Sequence, residues 1–347
     1  MKFLKGYSVR IMSIVAIVAM VGLVLGVGSD VYAAAKGKFP EKGKNIQIIV
    51  KDAAGGSTDT QTRIIAQFME KDLGVPVEVV NKVGAGGQIG MQALASAKPD
   101  GYTIGAFNNP TTMGIYLMPQ RKAQFSLKNF TPIGLHVFDP ETITVKTDSP
   151  YKTYKDLIAA AKAKPKTIKA STNGMFSDDH MAIVTVEKGA GVKFAAVHFD
   201  GSAEEGVALL GGKIDCSFMG MGYTTSHVKS GAMRRLCIMD DAPSPQDPNV
   251  PTLKSLGIDF VIGSSRGFAG PAGLPKDILA VLEASHARAI KDPTVSAKLA
   301  GMGTPIRYLN AAAYAKSLQV MEKAISPSIA LMMADQGIEI PKGGEVK

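Results

Sequence analysis

The residues best suited to chemistry lie in glycine-rich stretches where an apolar run gives way to a helical pattern. The first, KDAAGGSTDTQTR (51–63), follows the apolar run Ile46–Val50. Gly55 and Gly56 can take backbone angles closed to other residues and leave room for a ligand against the main chain. Thr58, with Gln61 three residues later, matches a capping box. The free amides of such a helix start carry partial positive charge and suit a carboxylate or a phosphate. Ala54, Gly55, Gly56, Ser57, Thr58 and Asp59 are therefore candidate ligand contacts. A turn whose glycines serve geometry alone is the competing reading.

Three later stretches repeat the arrangement. STNGMFSDDHM (171–181) offers Ser171, Thr172, Asn173, Gly174 and Ser177 to one end of a polar ligand. In it Asp178 and Asp179 either cap a helix, where a carboxylate is favoured by about 0.3–1 kcal/mol, or receive an amino group. FDGSAEE (199–205) adds Asp200, Gly201 and Ser202, and MGMGY (219–223) adds Met219, Gly220 and Met221. Arg266, in GSSRGFAGPAG, could grip a carboxylate through two parallel N–H bonds; a salt-bridged or solvated arginine is the alternative. The recurrence of one loop type points to a ligand site more strongly than any single loop.

Other chemistry finds little support. NKVGAGGQIGMQAL (81–94) misses the dinucleotide spacing, because Ile89 stands where the last glycine belongs, and no GK[ST] phosphate loop occurs. His136, His180, His198, His227 and His286 are scattered, with no local nucleophile motif and no metal-binding pattern. The expectation is no catalytic residue, no metal and no cofactor. Cys216 and Cys237 each sit in a strand-like run, as two buried thiols or as a disulfide. The charge of +9 is scattered, without an arginine-rich stripe, which argues against nucleic acid.

The N-terminus carries Lys2, Lys5 and Arg10, then the largely apolar run Ile11–Val27 and small residues near Ala33. This is the pattern of a cleaved signal peptide over 1–33, with an uncleaved membrane anchor as the alternative. Cleavage removes three basic residues and Asp30, taking the charge from +9 to +7.

These loops need elements to hold them. Strand-like runs alternate with amphipathic ones from Ile46 to Phe107 and again from Thr142 to Met239; the Pro-rich stretch 242–251 then breaks the pattern and a mainly helical segment follows. The reading is an α/β fold of two lobes, each a mostly parallel sheet flanked by helices, with the ligand cleft between them. Lobe 1 spans 37–138 and 242–347, and lobe 2 spans 139–241.

Taken in order, AAGGSTD, NKVGAGGQIG, ASAKPDGYTIG, HFDGSAEE, LLGGKIDCSFMG, DPNVPTLKSLGI and GPAGLP resemble the substrate-binding proteins of tripartite tricarboxylate transporters, the Bug family. The resemblance covers about 45–337 and is most specific over 79–103. It implies a periplasmic binding protein of the type II-like fold that closes around a small organic carboxylate and acts as a monomer. It also implies delivery to an ion-gradient-driven permease of two integral membrane subunits; output to a sensor, or an exported enzyme on the same scaffold, are the alternatives. Carried over by position, the family's carboxylate loops fall on Ala54–Asp59 and Thr172–Asp179, with Asp200–Ser202 and Met219–Met221 as the remaining wall. The chain departs from the family at Ala53-Ala54, at Lys82-Val83, at Phe176 and at Asp178-Asp179; the acids and the phenyl ring of the second loop favour a ligand bearing an amine or an aromatic ring beside its carboxylate.

Overall fold

A computed structural model describes residues 39–335. Residues 1–33, for which a signal peptide is expected, lie outside the described residues. Among them no helix is long and apolar enough to cross a membrane.

The first strand–helix series is β1 (Ile46–Val50), α1 (Ser57–Leu73), β2 (Val77–Asn81), α2 (Gln88–Ala95), β3 (Thr103–Asn109) and α3 (Thr111–Leu117). The chain continues through β4 (Phe130–Pro140) into β5 (Thr142–Lys146), α4 (Tyr154–Ala163), β6 (Lys169–Thr172), α5 (Asp178–Ala190) and β7 (Ala195–His198). Then come α6 (Ser202–Leu210), β8 (Cys216–Ser217), α7 (Met221–Lys229) and β9 (Met233–Ile238). The last series is β10 (Gly263–Pro271), α8 (Lys276–Lys291), α9 (Pro293–Gly301), β11 (Ile306–Asn310) and α10 (Ala311–Asp335).

The strands form two open mixed sheets, a six-stranded one ordered β11-β4-β10-β3-β1-β2 and a five-stranded one ordered β7-β6-β8-β5-β9. Parallel pairing is confined to β2-β1-β3 and β7-β6-β8, where a helix carries the chain back between neighbouring strands. The rest pairs antiparallel, so the expectation of mostly parallel sheets holds for about half of each. The reason lies in β4 and β10. The long β4 enters as the chain leaves the first sheet, and β10 re-enters it after the second sheet is complete, in the opposite direction to both β3 and β4. Only Glu141 separates β4 from β5, and hence one sheet from the other.

Helix α1 packs Ile65, Ala66 and Met69 against Ile46, Ile48 and Val50 of β1 and stops at Gly74, whose left-handed φ of 69° lets its amide reach the Glu70 carbonyl. A second core runs without a break from the first sheet and the helix packed on it (Phe107, Phe130, Tyr314) to α4, α5 and the end of β8 (Leu157, Ile183, Phe218), and includes Phe176. Helix α10 packs on β4 and reaches α5 beside the second sheet. Cys216 and Cys237 are both free and buried. They stand on β8 and β9, which flank β5 on either side, so one strand holds the two thiols apart.

Candidate ligand-binding cleft

Loops that end strands of the first sheet meet loops that end strands of the second. Ala53 donates its amide to the Asp200 carbonyl at 3.3 Å, and the Gly86 amide reaches the Asp200 carboxylate at 3.3 Å. The Ser57 amide donates to the Ser202 hydroxyl at 3.0 Å. The Thr111 hydroxyl, at the start of α3, donates to Asp178 at the start of α5. Gly114 lies so close to the Phe176 carbonyl that any side chain there would collide with it. A groove of about 420 Å³ marks the rim, with Gly86 and Arg121 on one side and Gly174 and Asp200 on the other.

In the first loop, Ala54 and Gly55 are exposed, whereas Gly56, Ser57, Thr58 and Asp59 are buried. The expected capping box is absent. Helix α1 begins at Ser57, one residue earlier than the pattern suggests, with the extended Gly56 (φ −71°, ψ 172°) as its cap. Thr58 is thereby drawn into the helix, where its hydroxyl accepts from the Asn108 side chain at 2.7 Å. Gln61 reaches the Ser57 hydroxyl instead, at 3.2 Å. Asp59 fastens the loop to itself: its carboxylate accepts from the Gly55 amide at 2.9 Å, from Asn81 at 3.0 Å and from Arg63. Those partners outweigh burial and hold its pKa below the usual carboxylate value.

The second loop also departs from its expected capping. Ser177 is the cap of α5, its hydroxyl accepting from the His180 amide at 3.2 Å. Asp178 and Asp179 follow it inside the first turn, 0 % and 1 % exposed. Asp179 accepts from the Asn173 amide at 2.8 Å, and the Thr172 hydroxyl is 2.7 Å from His198 and donates to the Gly174 carbonyl at 3.0 Å. Gly201 and Ser202 face the Ala53–Ser57 segment. Met219 is taken up by the second sheet, its carbonyl accepting from the Thr142 amide and hydroxyl. Gly220 and Met221 lead into α7, and the Gly222 amide donates to Asp139 at 2.8 Å.

Arg266 comes into the cleft as a salt-bridged group. Its guanidinium pairs with Asp139 and donates to the Ser57 hydroxyl at 2.6 Å. Burial opposes its charge, but the carboxylates of Asp139, Asp178 and Glu141 more than compensate and raise its pKa. Around it lie further buried acids. Glu141, on the crossover, is pushed well above the usual glutamate value by burial and by the charges of Asp179 and Asp178. Asp179 is raised by burial, Glu205 and Asp178, and Glu205 is raised to about 7 by burial, against a hydrogen bond from the Ser171 hydroxyl at 2.7 Å. One oxygen each of Glu141, Asp178 and Asp179 lies within 4.8 Å of the others, a spacing that can hold a cation.

Sequence reasoning missed Asn108, Thr111, Asp139, Glu141 and Glu205. The signal for two of them was present in FDPE (138–141), two acids around a proline where the chain passes between lobes.

A family model described as the tripartite tricarboxylate transporter family receptor matches residues 61–330. A UPF0065 protein from the gbd 5′ region of Cupriavidus necator is 31 % identical over 318 residues, 89 % of this chain and 94 % of that one. The periplasmic binding protein BugD is 29 % identical, with a TM-score of 0.76 over 87 % of this chain and 99 % of its own. MatC from Rhodopseudomonas palustris, solved with bound malate, is 26 % identical, with a TM-score of 0.76 over 84 % of this chain and 99 % of its own. The matched span takes in the whole second sheet and every strand of the first but β1, so the chain belongs to the tripartite tricarboxylate transporter receptor family and is a solute-binding receptor.

Proposed function

We propose that the chain is exported by a cleaved signal peptide (1–33) and captures a small organic carboxylate in the periplasm between lobe 1 (37–138 and 242–347) and lobe 2 (139–241). It then delivers the solute, as a monomer, to a two-subunit integral membrane permease driven by an ion gradient. The observation that carries this reading is the set of direct bonds between opposed loops, Ser57 to Ser202, Ala53 to Asp200 and Thr111 to Asp178. A solute seated among them touches both lobes only when the lobes are together, so its binding energy favours the closed state.

Four helices, α1, α5, α6 and α7, begin at these loops. Their first-turn amides and dipoles supply the attraction for a carboxylate without a lysine. The ligand-facing set is drawn from Gly56–Asp59, Thr172–Asp179, Asp200–Ser202 and Met219–Met221. Malate in the similarly folded MatC supports the carboxylate class. The role is capture without turnover.

A thermal-shift screen of the purified chain against mono-, di- and tricarboxylates, amino acids and aromatic acids tests the proposal. A ligand at 100 times its dissociation constant adds about 2.7 kcal/mol. The hit is expected to be recovered chemically unchanged by mass spectrometry. No stabilisation by any carboxylate, or conversion of the hit, overturns the reading.

A further inference from the structure

We infer that the ligand of this cleft carries a protonated amino group beside its carboxylate, and that Glu141, Asp178 and Asp179 receive that ammonium. The inference rests on the reading of the cleft as the solute site and names the chemical class of the solute.

The three acids come from two different elements, the sheet-to-sheet crossover and the first turn of α5, and none is more than 1 % exposed. Asp178 Oδ1 accepts from Thr111, and Asp179 Oδ2 accepts from the Asn173 amide. Their other oxygens, Asp178 Oδ2 and Asp179 Oδ1, and Glu141 Oε2 accept from no N–H or hydroxyl of the protein; Glu141 with Asp179, and Asp179 with Glu205, are acid–acid contacts that a shared proton bridges. The pattern extends beyond the trio. Fully buried Glu205, on α6, spends Oε2 on Ser171 and leaves Oε1 without an N–H or hydroxyl donor. On the first-lobe side, buried Asn108 and Gln61 each leave a carbonyl oxygen unpartnered. Among the acids every unmet group is an acceptor, while the unmet donors near them are Arg266 Nε, Asn109 Nδ2 and the Thr112 hydroxyl.

Each unmet buried acceptor costs about 1–3 kcal/mol, and carboxylates this close cannot all be ionised together. A plain dicarboxylate worsens both terms, since it adds negative charge and brings no donors. A primary ammonium brings three N–H donors and one positive charge. Three acceptors placed about 2.9 Å from a tetrahedral nitrogen stand about 4.7 Å from one another. One oxygen of each acid lies within 4.8 Å of the other two, an upper limit that admits a nitrogen once the acids part from their proton-bridged contact. A divalent cation fits less well: Ca²⁺ and Mg²⁺ call for about six or more oxygens, and the Arg266 guanidinium, drawn to Asp178 and Glu141, repels a double charge more strongly than the single charge of an ammonium. The other charged groups facing the trio are Asp139, which pairs with Arg266, and Glu205.

Calorimetry on the purified chain with matched probes tests the inference: succinate against aspartate, glutarate against glutamate, butyrate against 4-aminobutyrate, and CaCl₂ alone. The amino-bearing member of at least one pair is expected to bind about tenfold tighter or better. In Glu141→Gln and Asp179→Asn that ratio falls toward one. On the unaltered protein, titration in buffers of different ionisation enthalpy shows proton release for the amino-bearing probe, because Glu141 and Asp179 must ionise to receive it. Equal or tighter binding of the plain acids, without proton release, overturns the ammonium assignment and leaves the cleft standing as a carboxylate site. Stabilisation by CaCl₂ alone that is lost in Glu141→Gln overturns it in favour of a metal site. If no member of any pair binds, the cleft reading falls as well. Should a variant fail to fold, the proton-release measurement on the unaltered protein decides.

Discussion

The Ser57 amide and the Ser202 hydroxyl, 145 residues apart in sequence, are joined at 3.0 Å across the cleft. Gly56 makes the approach possible. A Cβ there would stand 3.1 Å from the Ser202 hydroxyl and 3.2 Å from the Ala53 carbonyl. Its backbone is extended, so its own φ and ψ admit a branched side chain, which presses on Ser202 across the cleft and on the Ala53 carbonyl within its own loop. Gly56→Val is therefore expected to fold, with a melting temperature close to wild type, and to lose about tenfold or more in ligand affinity because closure is blocked. Gly55 differs: its φ of 79° disfavours any side chain, yet nothing lies within 4 Å of the added atom. Gly55→Ala should cost stability and largely spare affinity. Unchanged calorimetric affinity in Gly56→Val would remove this loop from the site.

The Arg266–Asp139 pair is the second target. Both partners are buried, and Asp139 also accepts from the Ser57 hydroxyl at 2.9 Å and the Gly222 amide at 2.8 Å, so it ties α1, β10 and α7 together. Removing one partner strands a buried charge, at a cost of about 3–5 kcal/mol. Arg266→Met alone and Asp139→Asn alone should each lose about that much in chemical denaturation. The double variant should lose much less than the sum of the two. Strict additivity would show that the pair is not coupled.

How much of this was legible depended on whether burial could be read locally. Segments with a strong local period, such as Ile46–Val50 and Ser57–Leu73, carry their own evidence, and the glycine loops announce themselves through backbone freedom. Strand β4 reads FTPIGLHVFDP and β10 reads GSSRGFAGP; each mixes proline, glycine and polar residues without alternation. They are strands because two neighbours and packed helices enclose them, a property of the whole sheet. The same holds for the site. Asp139, Glu141 and Glu205 look like surface acids in sequence, and become site residues only because the crossover and α6 are folded beneath the cleft. The capping reading failed for a related reason: Asn108, from a distant strand, claims the Thr58 hydroxyl that the local pattern assigns to the helix.

Behind the cleft, His136 and His286 are fully enclosed, with Nδ1 of the first 3.1 Å from Nε2 of the second. Burial, the other histidine and Arg266 push His136 well below its ordinary value, and burial pushes His286 down to about 3. A base with a depressed folded pKa contributes stability that is present above its unfolded value, near 6.5, and is lost as pH falls toward the folded one. Each neutral histidine therefore costs up to about 1.4 kcal/mol per pH unit below 6.5. His286→Gln should flatten the acid limb of the stability curve, followed by urea denaturation between pH 7 and pH 5. A limb as steep as wild type would show that the pair does not drive acid unfolding.

Glu205 works in the opposite sense. It is raised to about 7 by burial, so between the ordinary glutamate value, 4.5, and about 7 the folded protein holds a proton that the unfolded chain has released. Stability from this group is full below 4.5 and falls as pH rises through that window, by up to about 1.4 kcal/mol per unit. Glutamine keeps an acceptor for the Ser171 hydroxyl but cannot ionise. The stability of Glu205→Gln relative to wild type, measured without ligand, should therefore climb from pH 4.5 to about 7 and level off above it. Because the histidine pair tilts the wild-type curve the other way over part of this range, the difference between the two proteins is the quantity to follow. A difference that does not vary with pH would mean that Glu205 is ionised throughout and that the acids beneath the cleft do not share protons.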